Sequence, residues 1–368
     1  LWTYPGWLAQ LFWYVTYALG GWALVSLALA SIVTLAFWFI WRQIDDVNVF
    51  VGGTAMIIGA IVSSVVWVAR PHMISFLLTA VVAYLLHRFK RQDKSLLPWL
   101  PLIVLLWVNV HGGFAIAFIL MIVYLLGEVT NNITKHTEDP VIGWGRLKHL
   151  LLTMAICLAV VIINPHTWRM WLYPFQTVGI GVLRDFIQEW RSPDFHLLFV
   201  QPFAFMLLLT LGAFARARRR ADWTDLAMVA MWALWGLFAA RNIAIFGLVV
   251  TPILARYADF VWVDQWRVWG YQYPPFSTQP SVRSRTSHTL LNWTLLVLII
   301  VAALVKIVMP LAPQANKTAE QASLPAAAVD FIETEQPAGP LFNSYNWGGY
   351  LIFRLWPDYL VYIDAVSY

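Results

Sequence analysis

Charged side chains make up only 12% of the 368 residues, where an ordinary soluble domain carries about 25%. A chain so poor in charge does not have water as its main solvent. The same scarcity excludes an intrinsically disordered segment and a nucleic-acid-binding domain, both of which depend on dense charge. Cysteine is almost missing as well. Cys157 stands alone, so no internal disulfide can form and a disulfide scaffold is excluded. Collagen-like and other repeats are absent, as are a Gly-rich phosphate loop, a Gly-x-Ser-x-Gly elbow, a His-Glu-x-x-His pair and a Cys-x-x-Cys-His haem site. No secretory signal peptide is visible either.

What is present is apolar surface: 60% of the residues are hydrophobic and 16% aromatic, with 22 tryptophans. A helix crossing the hydrocarbon core needs about 20 predominantly apolar residues. Windows of that kind fall near residues 20–41, 49–69, 72–87, 96–110, 113–128, 149–164, 197–215, 223–240, 242–257 and 289–309. The chain therefore reads as an all-α polytopic membrane protein with about ten transmembrane helices. Residues 1–19, crowded with Trp7, Phe12, Tyr14 and Tyr17, read as an amphipathic helix at the membrane surface. Residues 20–309 form the helix bundle, and 310–368 read as an extracytoplasmic tether, Pro313–Ala328, followed by the start of a small α/β domain with strands near Leu351–Phe353 and Leu360–Ile363. Most of the tryptophans read as anchors at the two membrane interfaces.

Basic residues set the orientation, because short cytoplasmic loops hold an excess of Lys and Arg. Alternate loops, from Arg42 through Arg88–Lys94, Lys135–Lys148 and Arg216–Arg220 to Arg256–Arg285, hold sixteen of the 24 Lys and Arg. This places the protein in the cell membrane with both ends of the chain extracytoplasmic and one large outer loop, 164–196.

Polar residues that are expensive near hydrocarbon then gather at the outer helix ends. These are Arg70 and His72 between the second and third helices, Asn109 and His111 between the fourth and fifth, Asn164 and His166 after the sixth, and Arg241 and Asn242 between the eighth and ninth. The outer loop adds Asp185, Glu189, Trp190, Arg191, Asp194 and His196. Arg70 and Arg241 are the most informative, since a guanidinium at the membrane boundary offers a fork of donors that suits a phosphate. The plainer alternatives are turn chemistry at each helix joint and salt bridges from these arginines to Asp185, Glu189 or Asp194. No cofactor is required. A divalent metal is conceivable because four of the eight histidines fall on this side, but none has the i, i+4 spacing of a helical metal site.

At Arg70-Pro71-His72, Trp107 to Phe114, Asn164 to Trp168, Glu189 to His196, Arg241-Asn242 and Phe342 to Tyr350, the chain resembles a family of bacterial polytopic proteins that is similar in hydropathy and loop plan to the GT-C glycosyltransferases. The resemblance spans nearly the whole chain. It implies transfer of a sugar from a polyprenyl-phosphate donor on the outer face, assisted by an acidic residue in a first outer loop upstream of the part matched by Trp2–Gly20. It also implies that an Ile-Asp-Gly strand leads into a larger outer domain, where this sequence reads Ile363-Asp364-Ala365. Either the ends of a longer protein are missing or this is a shortened relative.

Two functions follow as expectations. In the first, Arg70 and Arg241 hold the lipid-linked phosphate, Glu189 or Asp194 acts as general base or metal ligand, and Trp190 and Tyr345 stack on the sugar, with His72, Asn109, His111, Asn164, His166, Arg191, His196 and Asn242 lining the site. In the second, the chain is a non-catalytic subunit of a larger membrane complex, such as an electron-transfer complex, packed against other integral subunits and lipids. Transport is a weaker third, because the two halves of the chain show no matched repeat.

Overall fold

The computed structural model describes residues 5–44, 46–91, 96–179, 188–268 and 313–364, together with 293, 296–298, 300 and 301. Among the described residues the secondary structure is helical, without a strand, and the protein is a polytopic α-helical membrane protein. Five helical stretches are long and apolar enough to cross a bilayer: Trp7–Trp41, Val49–Val66, His72–Arg91, Gly112–Thr134 and Ala240–Val268. They match five of the ten expected spans. Four more expected spans appear as helices of 12 to 17 residues, which rise about 18–25 Å and fall short of a hydrocarbon core of about 30 Å. The span expected at 289–309 lies mostly outside the described residues.

The chain divides into two compact units. The larger contains Tyr4–Val15 and Ala28–Ser281, and the smaller contains Leu1–Thr3, Thr16–Leu27 and Val282–Tyr368. The first helix, α1 (Trp7–Trp41), is continuous in hydrogen bonding but kinked at Gly20 and Gly21, where φ is −153° and +58°. Only glycine adopts the second value without strain. The break expected between residues 19 and 20 is therefore this kink.

In the larger unit, α2 (Val49–Ser63) and α10 (Ile243–Val268) make the most extensive helix–helix contact among the described residues. Small residues recur every fourth position on both, Ala55, Gly59 and Ser63 against Gly247, Thr251 and Ala255, which lets the backbones approach. A Cβ on Gly247 would lie 3.1 Å from the Gly59 carbonyl oxygen, so the contact is backbone on backbone. Around this pair stand α3 (His72–Arg91), α4 (Trp99–Val110), α5 (Ala115–Thr134), α6 (Trp144–Val160), α8 (Gln201–Arg216) and α9 (Trp223–Phe238). They share one core that includes Phe76, Trp107, Phe203, Trp232 and Phe246. The expected outer loop 164–196 is partly helical, with α7 (Arg169–Gly179) and a 3-10 turn at Gln188–Trp190.

The smaller unit corrects the expected tether and strands. Pro313–Ser323 is helix α11, consistent with its Ala, Gln, Lys and Glu content. It is followed by α12 (Ala326–Glu335) and α13 (Gly348–Leu355). Leu351–Phe353 is thus helical: Leu351 and Leu355, four apart, form one stripe packed on Val329. The second expected strand contributes one bridge residue, Val361, opposite Leu341. Asn343 holds the returning segment, donating to the Ile363 carbonyl at 2.7 Å and accepting from the Tyr362 N–H at 2.9 Å.

Candidate functional site

The joints between helices of the larger unit carry the expected polar residues, and part of that set converges. The α2 to α3 joint ends in Arg70-Pro71-His72. Pro71 has no N–H to lose where a helix begins, and the Met73 N–H closes the first turn onto the Arg70 carbonyl at 3.0 Å. The His72 ring sits with Nε2 2.9 Å from the Val66 carbonyl oxygen. A carbonyl only accepts, so Nε2 carries the proton and Nδ1 offers a lone pair.

The α4 to α5 joint turns on His111, whose backbone is extended, before a 3-10 turn at Gly112–Phe114. Both glycines are there for space. A Cβ on Gly112 would run into the Tyr173 ring of α7, and one on Gly113 would lie 2.8 Å from His111 Nδ1 and 3.0 Å from Ser75 Oγ. His111 Nδ1 lies 2.9 Å from Ser75 Oγ and accepts the Gly113 N–H at 3.0 Å. Ser75 Oγ in turn accepts the indole N–H of Trp107 at 2.7 Å.

Arg241 occupies the 3-10 turn Ala240–Asn242 between α9 and α10. This turn is tied to the Gln188–Trp190 turn by the Ala240 N–H, which donates to the Arg191 carbonyl at 2.9 Å. The Arg241 guanidinium stacks over the Trp190 ring, 4.2 Å from its centroid. It is half-buried, and among the described residues it makes neither an ion pair nor a hydrogen bond. Arg70 reaches Glu189 at 3.8 Å with both side chains at least half exposed. His72 lies within electrostatic reach of Glu189, Arg241 and Arg70, His111 within reach of Arg241 and His72, and Arg241 within reach of Glu189 and Tyr173.

Other expected residues stand apart from this cluster. Asn109 and Asn164 pair with each other at 3.2 Å, and Asn109 also accepts the Trp7 indole N–H at 3.0 Å. They lie at an apolar pocket of about 640 Å³ whose walls include Leu8, Leu105, Leu106 and Ile163. The Asn164 side chain accepts the His166 N–H in a local turn. Asn242 donates to the Trp235 carbonyl at 3.0 Å and finishes α9. Asp194 and His196 form an exposed pair at 2.8 Å; the His196 backbone N–H and ring hold the Asp194 carboxyl below the usual carboxylate range. Asp185 lies outside the described residues, and Tyr345 belongs to the smaller unit. Among the described residues no three His, Cys, Asp or Glu side chains are grouped as metal ligands.

The opposite end of the bundle holds charges that sequence reasoning assigned to loops. Lys90, at the end of α3, is buried between Glu128 of α5 and Asp222, the N-cap of α9, with Lys90 Nζ 2.6 Å from Asp222 Oδ2. Glu128 Oε1 also accepts from Thr224 Oγ1 at 2.6 Å and Asn131 Nδ2 at 3.2 Å, while Oε2 accepts the Ile142 N–H at 2.6 Å. Next to it, Arg91 pairs with Asp139 at 3.0 Å and Arg256 with Asp225 at 2.6 Å. The signal that could have found this network is Glu128 itself, a carboxylate inside the apolar run 115–134, since an ionisable group there needs a named partner.

Compared with protein-family models, with curated proteins and with solved structures, the chain matches none.

Proposed function

We propose that the cluster around Arg241 binds the phosphate of a lipid-linked sugar at the outer face of the cell membrane, and that the protein transfers the sugar to an acceptor hydroxyl in the manner of a GT-C glycosyltransferase. One observation carries the reading. Arg241 is a half-buried guanidinium at a helix end of the bundle, stacked on Trp190 and without a carboxylate within 4 Å among the described residues. A cation in that setting is stabilised by an anion, and Arg70, which acts with Arg241 on His72 and pairs with the same Glu189 that acts on Arg241, offers a second fork that suits phosphate oxygens.

In this reading Arg70 and Arg241 hold the phosphodiester, and the sugar ring lies against Trp190. An incoming phosphate competes with Glu189 for Arg70, and the exposed pair at 3.8 Å is weak enough to yield. Glu189 is then the general base. The acceptor oxygen attacks the anomeric carbon, its proton passes to Glu189, and the bond from that carbon to the phosphate oxygen breaks with its electron pair left on the phosphate. The lipid phosphate gains a negative charge in this step, and Arg70 and Arg241 stabilise it as it develops.

The test is Arg241→Ala in the full-length protein in its native membrane. Transfer from a polyprenyl-phosphate sugar should fall by at least about 100-fold, the scale of losing one charge-stabilising donor, with membrane expression nearly unchanged. Turnover equal to that of the wild type would refute the assignment.

A further inference from the structure

Of the groups in the cluster, His111 has the most constrained hydrogen bonding. A backbone N–H can only donate, and Gly113 directs its N–H at His111 Nδ1 from 3.0 Å. Nδ1 therefore carries no proton. Ser75 Oγ, 2.9 Å away, receives the Trp107 indole proton and so turns its own hydrogen toward the same Nδ1. Two donors on one ring nitrogen leave the imidazole neutral with its proton on Nε2. Among the described residues Nε2 makes no hydrogen bond, and the ionisable groups within electrostatic reach of this ring are Arg241 and His72. The arrangement is built in: α3 supplies Ser75, α4 supplies Trp107, and Gly113 is the residue whose missing side chain lets the His111 ring and Ser75 close up.

We infer that His111 is a catalytic residue of the proposed transfer, a neutral Nε2–H donor to the phosphate oxygen that departs from the sugar, and that Ser75 is the positioning residue that holds it in this tautomer. The inference rests on the reading of Arg70 and Arg241 as a phosphate site and names a third group of that site. A neutral donor suits the task. It adds a hydrogen bond as charge collects on the leaving oxygen, without adding a third cation beside Arg70 and Arg241. No proton leaves Nε2, so the step balances as before, with the acceptor proton on Glu189 and the electron pair on the phosphate.

The experiment measures binding of farnesyl phosphate, a lipid phosphate monoester like the product, to the full-length protein in detergent at pH 8, alongside sugar transfer. Glutamine can place an N–H₂ near the position of Nε2, whereas asparagine reaches only to that of Nδ1. His111→Gln should bind within about 3-fold of the wild type. His111→Asn should bind at least about 10-fold more weakly, as expected for a lost hydrogen bond to a charged group. Ser75→Ala should weaken binding similarly, and Ser75→Thr, which keeps the hydroxyl, should restore it. Asparagine binding as tightly as the wild type, glutamine binding as weakly as asparagine, or no binding by the wild type would overturn the inference. A protein that binds in the expected order yet transfers no sugar removes the transferase reading and leaves the role of His111 at the phosphate intact. One that transfers sugar undiminished as His111→Asn does the reverse.

Discussion

Replacing Lys90 with methionine tests the physical account of the opposite end of the bundle. Lys90 is 3% exposed, and its two partners, Glu128 and Asp222, are both 0% exposed. Methionine fills similar volume and removes the charge together with the hydrogen bonds that the ammonium donates to Glu128 and Asp222. It leaves two carboxylates in a site closed to bulk solvent, and removing one partner of a buried ion pair costs roughly 3–5 kcal/mol. That is a large part of a total stability of about 5–15 kcal/mol. At about 2–4 °C per kcal/mol for a large domain, the melting temperature should fall by about 6–20 °C. The readout is thermal unfolding of the detergent-solubilised protein followed by tryptophan fluorescence.

A second variant separates charge from packing. In Lys90→Met with Glu128→Gln and Asp222→Asn all three groups are neutral, and asparagine still caps α9, since it serves as well as aspartate at that position. If uncompensated charge is the origin of the loss, the triple variant should regain at least about half of it, because neutral replacements of buried ionic groups are often tolerated. A single variant melting within about 2 °C of the wild type, or a triple variant no more stable than the single one, would refute the reasoning.

Two further outcomes are expected in the same assay. Gly59→Leu should destabilise the bundle by about 1–3 kcal/mol, because its side chain enters the backbone contact with Gly247 and Thr251; an unchanged melting curve would mean that α2 and α10 are not held by close approach. Glu189→Gln should change stability by less than about 1 kcal/mol, since its pair with Arg70 is long and exposed on both sides, and a loss above about 2 kcal/mol would show a structural role instead.

Much of the helix order was legible because apolar runs and Pro or Gly joints are local signals. Arg70-Pro71-His72 and Asn109 to Gly113 marked joints of the bundle, whereas the kink at Gly20-Gly21 lies inside one continuous helix, where a boundary is expected from sequence between residues 19 and 20. The candidate site was legible only in part, for a reason of distance along the chain. Asn109, Asn164 and Asp194 carry the same kinds of groups as His72 and His111, but their hydrogen bonds take them to each other or to nearby backbone. Lys90 looked like one of a run of loop cations, and its partner Asp222 lies 132 residues away. Leu351–Phe353 reads equally as strand or helix over so short a run; packing of Leu351 and Leu355 on Val329 decides for helix. Gly112 and Gly113 are a commonplace pair in sequence, and only the positions of Tyr173, Ser75 and the His111 ring show what a side chain there would displace.

The two ends of the bundle hold similar charges under opposite conditions. Around Lys90, the cations Lys90, Arg91 and Arg256 each have a carboxylate within 3.0 Å, and Glu128 accepts hydrogen bonds on both oxygens. Attraction at these distances offsets the loss of hydration only because the shell of donors is complete, so a ligand entering there would have to break more than it makes. Among the described residues the Arg241 guanidinium has an aromatic face and no carboxylate within 4 Å, although Glu189 acts on it from farther away; Glu189 stands exposed 3.8 Å from Arg70, and His111 presents a proton to no acceptor. Donors outnumber acceptors there among the described residues, an imbalance that suits an anion with several oxygens. Charge at the Lys90 end is therefore matched within the fold, whereas the proposed phosphate site lies at the Arg241 end.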